Sequence, residues 1–406
     1  MATVEGIEQV GVWQSELESL LLRLGERFHR REPRLRMRDY VRGLLGPVSR
    51  KNGWQLAEYA GHATPDGLQR LLAGSTWDAD AVRDDVRDFV AERLGEPNGV
   101  LIVDDTGFIK KGVTSAGVAR QYTGTSGKVD NCQIGVFAAY ASRRGRALID
   151  RELYLPKSWT DDAQRCAAAK IPDDREFTTK PALARAMVTR LLDAGLPAAW
   201  VAADEAYGAD FKFRRTCESA GVGYVLAVPK SQQVRTDRGM WRIDQVIETA
   251  PEQAWERMSA GDGAKGPRLY DWAAARLPYV PDFDDLDDGG PVVTRWILAR
   301  RPLGEGEIAY YMAYGPAGTT VADLVRVAGM RWAIEECFGA AKNECGLDQY
   351  EVRRWTGWYR HITLAMAAHA FLAVQAADAT EKGADPNINP LSSRFQWQRS
   401  GGSWQL

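Results

Sequence analysis

The chain has 406 residues, of which 45% are hydrophobic and 26% charged, with a formal net charge of −2 and a pI near 6.2. That length predicts two or three structural units, and the near balance of charge excludes indiscriminate electrostatic binding, so a polyanion would have to be met by a local basic face. The five cysteines form no C-x-x-C pair, no apolar run reaches about 18 residues and the N-terminus lacks the order of a secretory signal, so reduced thiols, no structural zinc, no membrane span and a cytoplasmic location are expected.

Residues 1–96 read as all-helical. Between Arg27 and Lys51 nine Lys/Arg face only Glu32 and Asp39, a local excess of about +7, with Leu35, Tyr40, Val41, Leu44 and Leu45 threaded at helical spacing. Arg34, Arg38 and Arg42 are the candidates for DNA contact. A short helix through Leu56 to Ala60, a turn at Gly61 and a second helix opened by Thr64 and Pro65 are compatible with a helix-turn-helix. "WDADAVRDDVRDFVAERL" adds an amphipathic helix with Val82, Val86, Phe89, Val90 and Leu94 on one face. Gly95, Pro97, Asn98 and Gly99 then mark a boundary.

Over 97–229 the period changes. "GVLIVDD" is a continuous apolar run of the kind buried on both faces of a sheet. "NCQIGVFAAYAS" and "RALIDRELYLP" read as two more strands, "KPALARAMVTRLLDAGLP" as a helix, "AWVAADEAYG" as a fourth strand, "DFKFRRTCESAG" as a helix and "VGYVLAVP" as a fifth strand. The layout is α/β with a mixed sheet. Residues 230–320 read as a mostly β insertion with Trp241, Trp255, Trp272 and Trp296, in which the acidic run "PDFDDLDDGGP" is a solvated loop. Residues 321–380 return to helix, and 381–406 form a loosely ordered tail.

The first strand ends in Asp104 and Asp105, the fourth in Asp204, and the late helix carries Glu335 and Glu336. Carboxylates gathered at one sheet edge are costly unless a cation neutralises them, and a hard divalent ion such as Mg²⁺ is the usual agent. Two such ions would serve an in-line phosphoryl displacement. In "RWAIEECFGAAK", Arg331, Glu335, Phe338 and Lys342 recur on adjacent turns of one helix face, which flanks a carboxylate with two cations suited to phosphates. Lys110 and Lys111, just behind the first aspartates, are placed to neutralise phosphates as well. Gly124, Gly127 and Lys128 in "GTSGKVD" lack the G-x-x-x-x-G-K-[ST] spacing, so a nucleotide triphosphatase is rejected.

These residues resemble the DDE transposases of bacterial insertion sequences, in the group whose glutamate motif is Y-x2-R-x3-E-x6-K; Arg331, Glu335 and Lys342 fit, and Ala328 stands in the tyrosine position. The resemblance is closer to the insertion sequence 701 family. It runs over roughly residues 35–376 through "DDTGFIKKG", "RQYTGTSGKVDNCQIGVFAAYAS", "LYLPKSWTDD", "ADEAYG", "RWAIEECF" and "LDQYEVRRWTGWYRHITLAMAAHAFLA".

The resemblance implies a ribonuclease-H-like catalytic core interrupted by the β-rich insertion. It implies Asp105, Asp204 and Glu335 as catalytic residues and metal ligands, with Asp105 taken over Asp104 because Thr usually follows the family's first aspartate. It also implies cut-and-paste transposition with Mg²⁺, for which Mn²⁺ substitutes, two ions per site, double-stranded DNA carrying terminal inverted repeats, target DNA, and a dimer on DNA at the nucleoid. One insertion tryptophan would stack on a base, and Arg353, Arg354 and Arg360 would line the DNA path. Two other readings remain open: a catalytically silent DNA-binding descendant of a transposase, and a carboxylate-pair glycoside hydrolase, which has no use for the basic N-terminus.

Overall fold

The run Val100–Val103 forms the buried centre of β1 (Gly99–Ile109), around which the sheet is built. The computed structural model describes residues 4–263, 266–278 and 293–381. The acidic run at 281–291 and the tail from 382 onward, expected to be loop, lie outside the described residues.

β3 (Lys128–Ala141) pairs antiparallel with β1, from Val100↔Ala141 to Ile109↔Cys132. Its fourteen residues are long enough to serve two strands on the other edge: β2 (Ala119–Thr123) takes its first part and β4 (Arg146–Tyr154) its second. β5 (Ala198–Ala203) and β6 (Gly223–Val228) run parallel to β1 and to each other, which requires crossover helices. Those are α8 (Lys180–Asp193) before β5, and α9 (Glu205–Gly208) with α10 (Phe211–Ser219) after it. The short α6 (Lys157–Thr160) and α7 (Ala163–Ala168) lead into α8. β2 has no counterpart in the sequence reading, since three of its five residues are polar and its two sides alternate only weakly.

Residues 230–320 carry the small hairpin β7 (Gln233–Thr236) and β8 (Gly239–Arg242), α11 (Ile243–Glu248), and four strands that prolong the central sheet. β12 (Ala309–Pro316) takes the open edge of β6, from Tyr310↔Val228 to Tyr314↔Tyr224. Outward of it follow β11 (Val293–Arg301), β10 (Gly266–Arg276) and β9 (Glu256–Gly263), each antiparallel to the last.

Five helices precede the sheet: α1 (Val4–Gly25), α2 (Arg31–Leu45), α3 (Gly53–Tyr59), α4 (Asp66–Ala73) and α5 (Ala79–Leu94). Three follow it: α12 (Val321–Met330), α13 (Ala333–Cys345) and α14 (Trp355–Glu381). α14 is long and apolar enough by composition to cross a membrane, yet most of it is buried within the protein, as in a core helix. It packs against α2, α5, α13 and β4, so the N-terminal helices share its core. Tyr40 on α2 donates 2.8 Å to His361 Nδ1, and His361 Nε2 lies 3.1 Å from the Gly346 carbonyl at the end of α13, which fixes the neutral tautomer with its proton on Nε2.

Arg360 departs from expectation. It is 6% exposed and its guanidinium donates to the carbonyls of Leu71, Leu72 and Trp77. Its place after the helix of Glu335 suggests a DNA contact, but α14 turns it inward, where it ties α14 to the end of α4. Arg353 and Arg354 are exposed.

Candidate active site

Side chains alternate across a strand, so neighbours on β1 serve opposite faces. Asp104 and Thr106 face α13, while Asp105 faces α8 and α9. Arg331 lies 3.4 Å from Asp104 Oδ2 with one guanidinium nitrogen and donates 2.8 Å to Glu335 Oε1 with another. Two turns further along α13, Lys342 Nζ donates 2.8 Å to Thr106 Oγ1. Asp105 instead receives Lys180 Nζ at 2.9 and 3.1 Å on its two oxygens and the hydroxyl of buried Tyr207 at 3.2 Å. The sequence expectation put Asp105 with Glu335; in the structure the link to Glu335 through Arg331 runs from Asp104.

Asp204 reaches the same place from the next strand. Val103 pairs with Ala203, so the residue after each lies at the same level on neighbouring parallel strands. Asp204 also caps α9, accepting from Ala206 N at 3.0 Å, which fixes its direction. The α12–α13 junction falls at Arg331 and Trp332, so Arg331 precedes α13 rather than lying within it; the i,i+4 link to Glu335 survives because its backbone stays helical.

The electrostatics are those of crowded carboxylates. Burial, then Asp204 and Asp105, push the Asp104 carboxyl up to about 7 against the pull of Arg331. Asp204 is raised by burial and then by Asp105, with its capping hydrogen bond opposing. Burial pulls the Arg331 guanidinium down, but Asp104 and Glu335 raise it on balance. Oxygen-only donors under mutual repulsion fit a hard divalent cation, which would relieve that repulsion. Among the described residues no three carboxylate, imidazole or thiol groups yet converge enough to hold an ion, and Arg331 occupies the space between Asp104 and Glu335.

The remaining predicted cations are distributed unevenly. Lys110 Nζ sits 3.4 Å above the Tyr350 ring, and burial lowers it to about 8, whereas Lys111 is exposed. Of the N-terminal arginines, Arg38 and Arg42 both grip Glu18 on α1, and Arg34 donates to the Phe28 carbonyl. Much of the local positive charge is therefore paired within the helices. Of the four insertion tryptophans, Trp272 and Trp296 are buried, Trp255 is half-buried beneath Arg301, and Trp241 is exposed on the β7–β8 hairpin. Lys180 carries no local sequence signal, because it acts across elements far apart in the chain, and Tyr207 stands out only as part of the "ADEAYG" stretch. Thr106 stands out in the sequence only as the residue after the first aspartates.

Known proteins bear on this arrangement. The family model described as DDE superfamily endonuclease matches residues 23–257, and the one described as transposase DDE domain matches 178–371. The chain is 26% identical over 195 residues to the probable transposase for insertion sequence element IS701 of Microchaete diplosiphon, covering 47% of this chain and 48% of that one. The match thus spans about half the length of that relative. A cryo-EM structure of the piggyBac transposase synaptic complex with hairpin DNA aligns with a TM-score of 0.47 at 9% identity, over 93% of this chain and 74% of that one. Since the first family model spans more than half of its residues, the chain belongs to the DDE superfamily of endonucleases.

Proposed function

We propose that this protein is a transposase that cuts and joins the ends of an insertion sequence by metal-dependent phosphodiester hydrolysis and strand transfer, with Asp104, Asp204 and Glu335 as its catalytic carboxylates. The observation that carries the reading is the Arg331 bridge between Asp104 and Glu335, with Asp204 at the adjoining strand end. Family membership sets the reaction class, and the strand order β4-β3-β1-β5-β6 supports a ribonuclease-H-like core in which β1 presents the first carboxylate.

Asp104, Asp204 and Glu335 would hold Mg²⁺ or Mn²⁺, two ions being the number suited to an in-line displacement at phosphorus. Held there, such ions would activate the attacking oxygen and stabilise the leaving one. Arg331 moves off Asp104 and Glu335 to grip a phosphate on one side of the scissile bond, and Lys342 grips one on the other side. Thr106 orients the Lys342 ammonium for that contact. Hydrolysis frees a 3′ hydroxyl at the element end, and the same site directs that hydroxyl onto target DNA. Asp105 acts as a positioning residue: through Tyr207 it holds α9, whose first cap is Asp204. The substrate is double-stranded DNA bearing terminal inverted repeats, met by the N-terminal helices as well, and two ends cut in concert call for a dimer on DNA.

The test is strand cleavage on DNA carrying the repeats that flank the protein's own gene, with Mg²⁺ or Mn²⁺. The wild type cuts at the repeat boundary only with metal, and Glu335→Gln binds without cutting. If both bind and neither cuts with any metal, the chain is a silent DNA-binding descendant and the carboxylates are structural.

A further inference from the structure

The turn of the β2–β3 hairpin carries Gly124, Gly127 and Lys128 without the spacing of a phosphate loop. This turn, Thr123 to Lys128, folds back over β1. Thr125 Oγ1 donates 3.0 Å to the Gly107 carbonyl and lies 3.4 Å from both Thr106 Oγ1 and Lys342 Nζ. Gly107 permits this approach: a Cβ there would fall 2.0 Å from Thr123 Oγ1. The tip is therefore fastened beside the cation that flanks the scissile bond.

The stem shows the opposite character. Tyr122 and Val129 are direct cross-strand partners and are 64% and 52% exposed. Arg120 lies two residues from Tyr122 on the same strand face, whereas Lys128, the partner of Thr123 and neighbour of Val129, points to the other face at the turn; both are exposed. An exposed cross-strand pair of an aromatic and a β-branched side chain at a sheet edge is open to a partner. Exposed cations on both faces of the hairpin, Arg120 beside Tyr122 and Lys128 behind it, and a tip held beside Lys342 select a polyanion with flat apolar faces.

We infer that the β2–β3 hairpin is a DNA-holding arm: Tyr122, backed by Val129, stacks on a base of the strand leaving the active site past Lys342, while Arg120 and Lys128 take its phosphates. This rests on the proposed DNA-cutting function and names the part of the substrate that this surface takes. An exposed aromatic beside a cationic track suits base stacking without sequence readout. Thr125 serves as a positioning residue that couples the arm to Lys342.

The experiment measures binding, so it can be read whether or not cleavage occurs. Repeat-end duplexes carrying 2-aminopurine on either side of the cut are titrated with wild type, Tyr122→Ala, Tyr122→Phe and the double variant Arg120→Ala/Lys128→Ala. Tyr122 is exposed, so thermal unfolding of its variants should match wild type. Expected are a 2-aminopurine change on one side of the cut only, its loss with roughly tenfold weaker binding in Tyr122→Ala, and its retention in Tyr122→Phe. The double variant should flatten the slope of log Kd against log salt by about two. Wild-type affinity, salt slope and fluorescence in Tyr122→Ala overturn the inference, as does a changed oligomeric state at unchanged Kd, which would make the pair a contact between copies. Binding without cleavage by the wild type overturns the catalytic reading alone.

Discussion

Asp104 and Asp105 are neighbours in the chain yet belong to different structures: the first is linked through Arg331 to Glu335, and the second is closed off by Lys180 and Tyr207. Their amide analogues should therefore fail differently. On the proposed assignment Asp104→Asn removes a metal ligand, so cleavage should fall to background and Mg²⁺ should no longer raise the melting temperature. Asp105→Asn leaves Lys180 without its counter-charge and should cost about 1–3 kcal/mol of stability, while Mg²⁺ still stabilises the folded protein. Thermal unfolding with and without Mg²⁺ separates the two, and loss of the Mg²⁺ response in Asp105→Asn alone would restore Asp105 as the ligand.

Arg331 holds the place a cation would take. Arg331→Ala removes that competitor, so Mg²⁺ should bind about tenfold more tightly, equal to roughly 1.4 kcal/mol. Cleavage should nevertheless drop, because a phosphate grip is lost with it. Calorimetric titration of Mg²⁺ alongside a cleavage assay checks both halves; unchanged Mg²⁺ affinity would mean that the guanidinium does not block the site.

Two buried imidazoles on α14 contribute to acid stability. Burial lowers His361 and His369 to about 4, from an ordinary 6.5. A depressed folded-state value means the stabilising contribution is present above 6.5 and is lost as pH falls through 4. Each should contribute about 2–3 kcal/mol across that window. Asp104 has the opposite sign: held up to about 7, its contribution is present below 3.8 and is lost as pH rises through 7. Urea midpoints should thus fall between pH 6.5 and 4.5 in the wild type, less steeply in His361→Gln. Asp104→Asn should gain stability at pH 7.5 relative to pH 5.

Local pattern carried much of this into the sequence. The apolar run before Asp104, the cap at Asp204 and the spacing of Glu335 to Lys342 are each written in a few consecutive residues, so strand ends and helix face could be read directly. The choice between Asp104 and Asp105 could not. It depends on which face of β1 meets α13, and that is decided more than 200 residues away. The partners of Asp105 come from two further elements, and β2 forms because β3 is long enough to offer it an edge, not because of its own pattern. Charge counting is blind to pairing for a related reason: Arg38 and Arg42 find Glu18, and Arg360 finds carbonyls, through packing that composition does not encode.

Arg360 and its exposed neighbours give the last contrast. Its guanidinium satisfies carbonyls at the end of α4 and beyond, within a buried setting, and lies 4.9 Å from the Trp77 ring. Arg360→Met removes the charge and the Arg360 donors to the Leu72 and Trp77 carbonyls, while Leu71 O keeps the Trp77 Nε1 donor, and should cost about 2–4 kcal/mol. DNA affinity measured below the lowered melting temperature should not change. Arg353→Ala and Arg354→Ala should do the reverse, leaving stability within about 0.5 kcal/mol and weakening DNA binding, with a salt slope reduced by about one for each phosphate no longer neutralised. Guanidinium unfolding and a salt series of binding curves on the three variants decide it. A flattened salt slope in Arg360→Met would return that residue to the DNA path.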